Sequence, residues 1–198
     1  MEMKRIYIPG DVIDEPVAKS LAVREDKGKL YATVVGTVEG KSFIPFELAY
    51  IPVVGDAIVG IVYDKKPSVY FVDTNSSYTG LVIARDLRGA ELDVGDVIFA
   101  KVKKVEEDSI VLGDIKILQN GKIMSVPSSK IPRIIGKGAS MLNLIKDATK
   151  TVIYVGANGY VWIAGKDVGK SVKAINAIIE KAHLSGLTDE IKQMLESD

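Results

Sequence analysis

The chain has 198 residues, 47% of them hydrophobic and 26% charged, and its 26 basic and 26 acidic side chains cancel to a formal net charge of zero. That is the composition of an ordinary globular protein and excludes a uniformly basic nucleic-acid coat. With no cysteine and one histidine, His183, a disulfide framework and a cysteine- or histidine-built zinc site are excluded too, and no metal or cofactor is expected.

The length favours several modules over one core. The start, "MEMKRIYIPG", has no apolar stretch of signal-peptide length behind its basic residues, and runs such as "AIVGIVY" fall short of a membrane span, so a cytoplasmic protein is predicted. Charge is unevenly spread. Residues 1–51 carry 7 basic and 8 acidic side chains, 52–117 carry 8 and 11, and 118–198 carry 11 and 7, so the last third is the basic part.

Three similar segments punctuate the first half: "PGDVI" at 9–13, "VGDAI" at 54–58 and "VGDVI" at 94–98. Glycine permits a positive φ, aspartate bonds back to nearby backbone, and the β-branched residues that follow favour extension. Each predicts a turn opening a strand. The competing reading makes Asp11, Asp56 and Asp96 a carboxylate cluster.

Residues 1–51 read as a small β module, with "KLYATVVGTVEG" and "KSFIPFEL" as strands. Within "FIPFELAYIP", Phe43, Phe46, Tyr50 and Ile51 form either a docking patch or buried strand. Residues 52–117 predict five short strands, "DAIVGIVYD", "SVYFVDT", "TGLVIA", "DVIFAKVKKV" and "SIVLGDI", with no long helical period between them. A small closed barrel of the oligonucleotide-binding (OB) type fits that spacing.

The last module, 118–198, changes character. "QNGK" predicts an Asn-Gly hairpin. After the proline-marked "VPSSKIPRIIG", the segment "SMLNLIKDAT" places Met141, Leu142, Leu144, Ile145 and Ala148 on one helical face. "TVIYV" and "YVWIA" flank "GANG", read as a type I′ hairpin turn, and Val168, Val172, Ile175, Ile178, Ile179 and Ala182 recur at helical spacing. In the segment "TDEIKQMLES", Thr188 is the predicted cap.

Between a short helix ending in "VPSSKIPRIIG" and the helix of "SMLNLIKDAT" lie Gly136, Lys137, Gly138 and Ala139. A bare backbone there lets a phosphodiester approach, the opening amides of the next helix point at the anion, and Lys137 supplies charge. The bland alternative has Gly136 ending one helix and Ser140 capping the next.

The order strand, helix, glycine turn, helix, strand, strand, helix over about residues 121–182, with the "IIGKG" core, resembles the KH domain, which clamps single-stranded nucleic acid at a Gly-x-x-Gly loop. Ala139 departs from the pattern, because it stands where the second hallmark glycine belongs. The resemblance implies phosphate contact from Lys130, Arg133, Gly136, Lys137 and Gly138, with the lysines and the arginine compensating for the added methyl group. The barrel resembles an S1-type RNA-binding domain, which implies base stacking on Tyr63, Tyr70 and Tyr78 and phosphate contact from Lys65, Lys66, Arg85 and Arg88.

A β module, an S1-like barrel and one KH-like domain in that order resemble the RNA-binding cap subunit of the archaeal exosome, of the ribosomal-RNA-processing-protein-four type. "PGDV", "YIPVVGDAIVGIV", "IPRIIGKGASM" and the Gly-x-Asn-Gly element at 156–159 carry that resemblance. It implies a multi-domain fold: an all-β N-terminal module that docks on the exosome ring, an OB-fold barrel, and an α+β type I KH domain (βααββα). It also implies a non-catalytic role. Three copies would sit on a ring of RNase PH-like phosphorolytic subunits, gather single-stranded RNA and guide its 3′ end inward for degradation or tailing. The alternative is a free-standing S1/KH RNA-binding factor in transcription or translation. A phosphate-handling enzyme is disfavoured, because "GKGAS" lacks Walker-loop spacing and no paired-carboxylate or histidine constellation is present.

Overall fold

In the computed structural model, described for residues 5–18, 22–45, 50–181 and 187–197, the chain divides into two compact units, Met1–Ala49 and Tyr50–Asp198. The first unit is all β. Strands β1 (Ile6–Tyr7), β5 (Gly36–Glu39) and β6 (Ser42–Pro45) form one sheet, and β2 (Val12–Ile13), β4 (Lys29–Ala32) and β3 (Val23–Asp26) form another. The stretch "KLYATVVGTVEG" is therefore not one strand: it breaks at 33–35, where Thr33 N–H bonds to Ala22 O, and its halves join different sheets. Tyr7 and Phe43 meet edge to face at 6.1 Å in this unit's core. Of the suggested docking patch, Phe43 and Tyr50 are buried in two different cores, Ile51 is exposed, and Phe46 lies outside the described residues.

The second unit opens with a closed five-stranded barrel, in the order β10 (Val97–Val105), β11 (Ser109–Leu118), β9 (Thr79–Ile83), β8 (Val69–Asp73), β7 (Ala57–Lys66). Strand β9 runs parallel to β11 and every other pair is antiparallel. Period-two burial explains the closure: Ile58, Val62, Val72, Val82, Ile98, Val102, Ile110 and Leu112 are each 1% exposed or less and fill the interior.

The Gly-Asp segments are three copies of one turn. Ile8, Val53 and Asp93 donate their backbone N–H to the carboxylates of Asp11, Asp56 and Asp96 at 3.0, 3.0 and 2.8 Å, and each aspartate N–H returns to the same residue's carbonyl. Gly10, Gly55 and Gly95 sit at φ 96°, 97° and 97°, where a side chain is strained. These aspartates serve backbone turns, not a shared site.

The remainder is a three-stranded sheet, ordered β12 (Lys122–Ser125), β14 (Tyr160–Gly165), β13 (Thr151–Val155), with helices α1 (Ile131–Ile135), α2 (Ser140–Thr149), α3 (Val168–Glu180) and α4 (Leu187–Ser197). The element order β12, α1, α2, β13, β14, α3 is the predicted βααββα, and the fold is multi-domain with an OB-type barrel and a KH unit. Ile134, Ile145, Val161, Ile163, Ala174, Ile175, Ile178 and Ile191 are sealed between helices and sheet. On α2 the buried face takes in Thr149, whereas Ala148 is exposed; Ala182 lies outside the described residues. Thr149, Thr151 and Ser171 bond mutually through their hydroxyls at 2.7 to 3.0 Å, which satisfies polar groups on that face.

The Asn120-Gly121 pair does not close a hairpin. Strand β12 pairs with β14 instead, and Gly121 lies beneath the Trp162 indole, where a β-carbon would overlap the ring. Among the described residues no helix is long and apolar enough to cross a membrane, and no three His, Cys, Asp or Glu side chains are grouped to hold a metal ion.

Candidate nucleic-acid interface

Strand alternation decides which barrel aromatics face solvent. Tyr70 shares the inward parity of Val72 and is 8% exposed in the barrel core, so it presents no ring for stacking; this corrects its assignment as a base stacker. Its neighbour Phe71 takes the outward parity, half-buried, and is the stacking candidate that the sequence reading missed. Tyr63 is 51% exposed, at a register shift between Val62 and Asp64 that turns it outward. The Tyr63 and Phe71 rings lie 6.2 Å apart, and Lys66 Nζ sits 5.0 Å over the Phe71 ring. Tyr78 is half-buried against the barrel core and contributes less open ring surface.

The predicted cations fall into separate groups. Lys65 is held by Asp93 at 2.5 Å, which raises its pKa and partly neutralises it. Arg85 and Arg88 line a groove of about 610 Å³ with Lys103 and Asp114, on the side of the barrel where the 3-10 turn Ala84–Leu87 meets β11. Lys103 and Asp114 pair at 2.7 Å, and the contact holds the Asp114 carboxyl below the usual carboxylate range. Arg85 Nε is 3.7 Å from Asp86, and Arg88 adopts a left-handed conformation at φ 53°. Two arginines thus line a trough of mixed charge, in which Asp86 and Asp114 stand beside Arg85 and Lys103, and which Tyr63 and Phe71 do not line.

The glycine turn between α1 and α2 is built as an anion cradle would be. Gly136 terminates α1 at φ 73°, and a β-carbon there would come within 2.8 Å of the Met141 N–H. Gly138 follows at φ 58° with open space around it. Ala139 holds φ 64°, ψ 20°, the left-handed region that glycine tolerates and alanine resists. Alanine thus sits under strain at the position of the second hallmark glycine. Ser140 does not cap α2: Ala139 occupies the cap position and no side chain bonds to the first-turn amides. The turn winds as a short 3-10 segment, Lys137–Ala139, whose Ser140 N–H bonds back to Lys137 O; Lys137 is exposed beside it, and among the described residues Lys130, Arg133 and Lys137 have no carboxylate partner.

Barrel and KH unit are joined by the "GANG" element, which is not a type I′ turn. Ala157 and Asn158 keep negative φ, Gly159 alone is left-handed at 86°, and Gly159 N–H bonds to Gly156 O at 3.0 Å. This places the Asn158 amide, 1% exposed, against the first half of β7, where β8 does not reach. Its Oδ1 accepts from Val59 N–H at 3.3 Å, and its Nδ2 donates to Val59 O at 2.7 Å and Thr74 O at 2.9 Å. The side chain thus pairs with both backbone groups of Val59 as a neighbouring strand would. Ala157 N–H to Ala57 O, Asn75 Nδ2 to Asn158 O and Tyr160 OH to Asp73 complete the seam at 2.8, 2.8 and 2.7 Å. Burial, then the Asp73 hydrogen bond, pushes the Tyr160 phenol up to about 12. The KH loop is therefore held in fixed relation to the barrel.

Comparison with known proteins gives three findings. A family model described as "KH domain" matches residues 121–169. Curated relatives named Exosome complex component Rrp4 align over nearly the whole chain. That of Pyrococcus furiosus is 34% identical, covering 98% of this chain and 84% of its own length, and that of Picrophilus torridus is 35% identical, covering 99% and 94%. A crystal structure described as that of an exosome complex RNA-binding protein superposes with a TM-score of 0.68 at 31% identity, covering 75% of this chain and 96% of the other.

Proposed function

Because this chain belongs to the family of Rrp4 exosome components, we propose that it is a non-catalytic RNA-binding cap subunit, which recruits single-stranded RNA and guides its 3′ end into a ring of RNase PH-like partners. The observation that carries this reading is the α2 N-terminus, left without a side-chain cap beside exposed Lys137 and locked through Asn158 to a barrel that presents Tyr63 and Phe71.

Each part has a distinct task. The α2 amides, Gly136, Gly138 and Lys137 receive one or two backbone phosphates, with Lys130 and Arg133 beside them. Tyr63 and Phe71 supply sequence-tolerant stacking surfaces next to Lys66, each stack contributing about 1–3 kcal/mol. Arg85 and Arg88 draw the strand along the trough. The seam makes these grips one preformed frame, so little ordering entropy is lost between them. Three such frames on one ring raise the effective RNA concentration, which is why a chain of zero net charge suffices. The N-terminal module serves as the ring contact, and the bond-breaking groups belong to the ring. The complex works in the cytoplasm, on RNA degradation and processing in the 3′ to 5′ direction.

Size-exclusion of the chain with and without ring proteins tests the assignment. Co-migration at three chains per hexamer is expected, and a chain that elutes alone while still binding RNA would favour a free-standing factor.

A further inference from the structure

The KH sheet has a second face, turned from its helices, and the barrel covers only part of it. Val59 and Leu118 of the barrel pack on Trp162, and Phe99, Tyr154 and Trp162 form a tilted ladder with centroids 4.9 and 5.8 Å apart. Beyond Leu118 the cover ends. An open groove of about 340 Å³ remains at the rim of the seam, floored by Tyr154, Trp162, Ala164 and Val152, with Lys116 and Gln119 along the barrel side. Val152 is 53% exposed there.

Three features point to a ligand with a flat apolar face and a negative charge. The volume lies in the range of small-ligand pockets, at the lower end, enough for one aromatic heterocycle. Among the described residues no carboxylate lines the groove, Lys116 belongs to it, and exposed Lys150 and Lys166, joined by a backbone hydrogen bond of 3.2 Å, stand at the near end of the sheet, where the Asp167 carboxylate is taken up by the Lys170 N–H as the α3 cap. The Tyr154 ring already holds a cation, with Lys116 Nζ 4.8 Å from its centroid and in contact with its hydroxyl.

We propose that this groove is a single-nucleotide subsite for single-stranded RNA, in which a base stacks on Tyr154 after Lys116 swings from the ring to the adjoining phosphate. The exchange is favourable in kind. A cation over an exposed ring is a weak contact, whereas a stacked base covers the ring and the Val152 surface and leaves the ammonium on a phosphate oxygen. Gln119 can donate and accept at a base edge without choosing among bases. The subsite rests on the RNA-binding reading above and extends the strand's path around the KH sheet, away from the glycine turn.

Trp162 is the only tryptophan in the chain and forms part of the floor, so its emission responds when this groove is filled. The full chain is titrated with a labelled six-nucleotide single-stranded RNA, following anisotropy of the label and Trp162 emission together. We expect saturable quenching that tracks anisotropy. Val152→Glu should weaken binding about 5- to 10-fold and remove most of the quenching, while Val94→Glu, which adds the same charge at another exposed valine on the barrel, retains the quenching. Lys137→Ala should weaken binding yet leave the quenching at saturation intact. Anisotropy that rises with no change in Trp162 emission, or Val152→Glu behaving as Val94→Glu, would overturn the subsite and leave the wider reading standing. No anisotropy change at any RNA concentration would sink both. Quenching produced by added ring proteins and not by RNA would make the groove a protein contact and overturn the proposal.

Discussion

Replacing Asn158 by alanine tests how barrel and KH unit are held together. The substitution removes three hydrogen bonds at once, to Val59 N–H, Val59 O and Thr74 O, in a place where Val59 and Thr74 are both 0% exposed. A net hydrogen bond is worth about 1 kcal/mol, and a buried N–H left without a partner costs about 1–3 kcal/mol. Because no second strand covers this half of β7, the Val59 N–H has no alternative acceptor unless water enters. The expected loss is therefore about 3–4 kcal/mol, a large fraction of the roughly 5–15 kcal/mol that holds a domain together. Urea unfolding followed by Trp162 fluorescence measures it, since Trp162 packs with Val59 and Leu118 at the seam. A fall of the midpoint with separate barrel and KH transitions is expected. A single transition displaced by less than about 1 kcal/mol would refute the idea that this amide carries the seam.

Three further outcomes follow from the geometry. Ala139→Gly relieves a left-handed residue and should stabilise the protein by about 1 kcal/mol, read as a higher Tm, and should tighten RNA binding at the loop; an unchanged affinity would mean that the loop is not a main grip. Tyr63→Ala and Phe71→Ala should each weaken RNA binding by about 1–3 kcal/mol, whereas Arg85→Ala with Arg88→Ala should flatten its salt dependence; loss of affinity without any change in slope would remove the trough from the RNA path. Burial and Asp73 keep the Tyr160 phenol protonated up to about 12, so the folded state binds a proton that the unfolded chain releases near 10. Its contribution is complete below pH 10 and declines between pH 10 and about 12, and Tyr160→Phe should flatten that alkaline fall relative to the unaltered chain, measured by urea midpoints across the range.

Much of the architecture was legible because its signals are local. The barrel strands announce themselves through alternation and through Gly-Asp turns whose chemistry closes within four residues, and the KH unit through the helical periodicity that follows "IIGKG". What escaped was decided at a distance. Tyr70 and Phe71 are adjacent, so one must face inward, and choosing between them requires the strand's phase; Asp73, which shares the parity of Phe71, carries that signal. Asn120-Gly121 has the composition of a hairpin, but the sheet edge offered by β14 outcompetes local pairing. The Gly-x-Asn-Gly element reads as a turn because its partner, Val59, stands 99 positions away. For Ala139 the sequence indicates a departure from pattern, and only the backbone shows that the left-handed conformation persists despite it.

If this chain grips RNA and leaves cleavage to its partners, RNA shortens only where the ring is present. The most direct measurement adds phosphate and a single-stranded RNA to the purified chain, to the ring, and to the assembled complex, and follows RNA length against time. Intact RNA is expected with the chain alone, slow shortening with the ring, and faster, more processive shortening with the complex, an advantage that disappears on combining Lys137→Ala with Tyr63→Ala. Shortening by the chain alone, or a complex no faster than its bare ring, would contradict this division of labour.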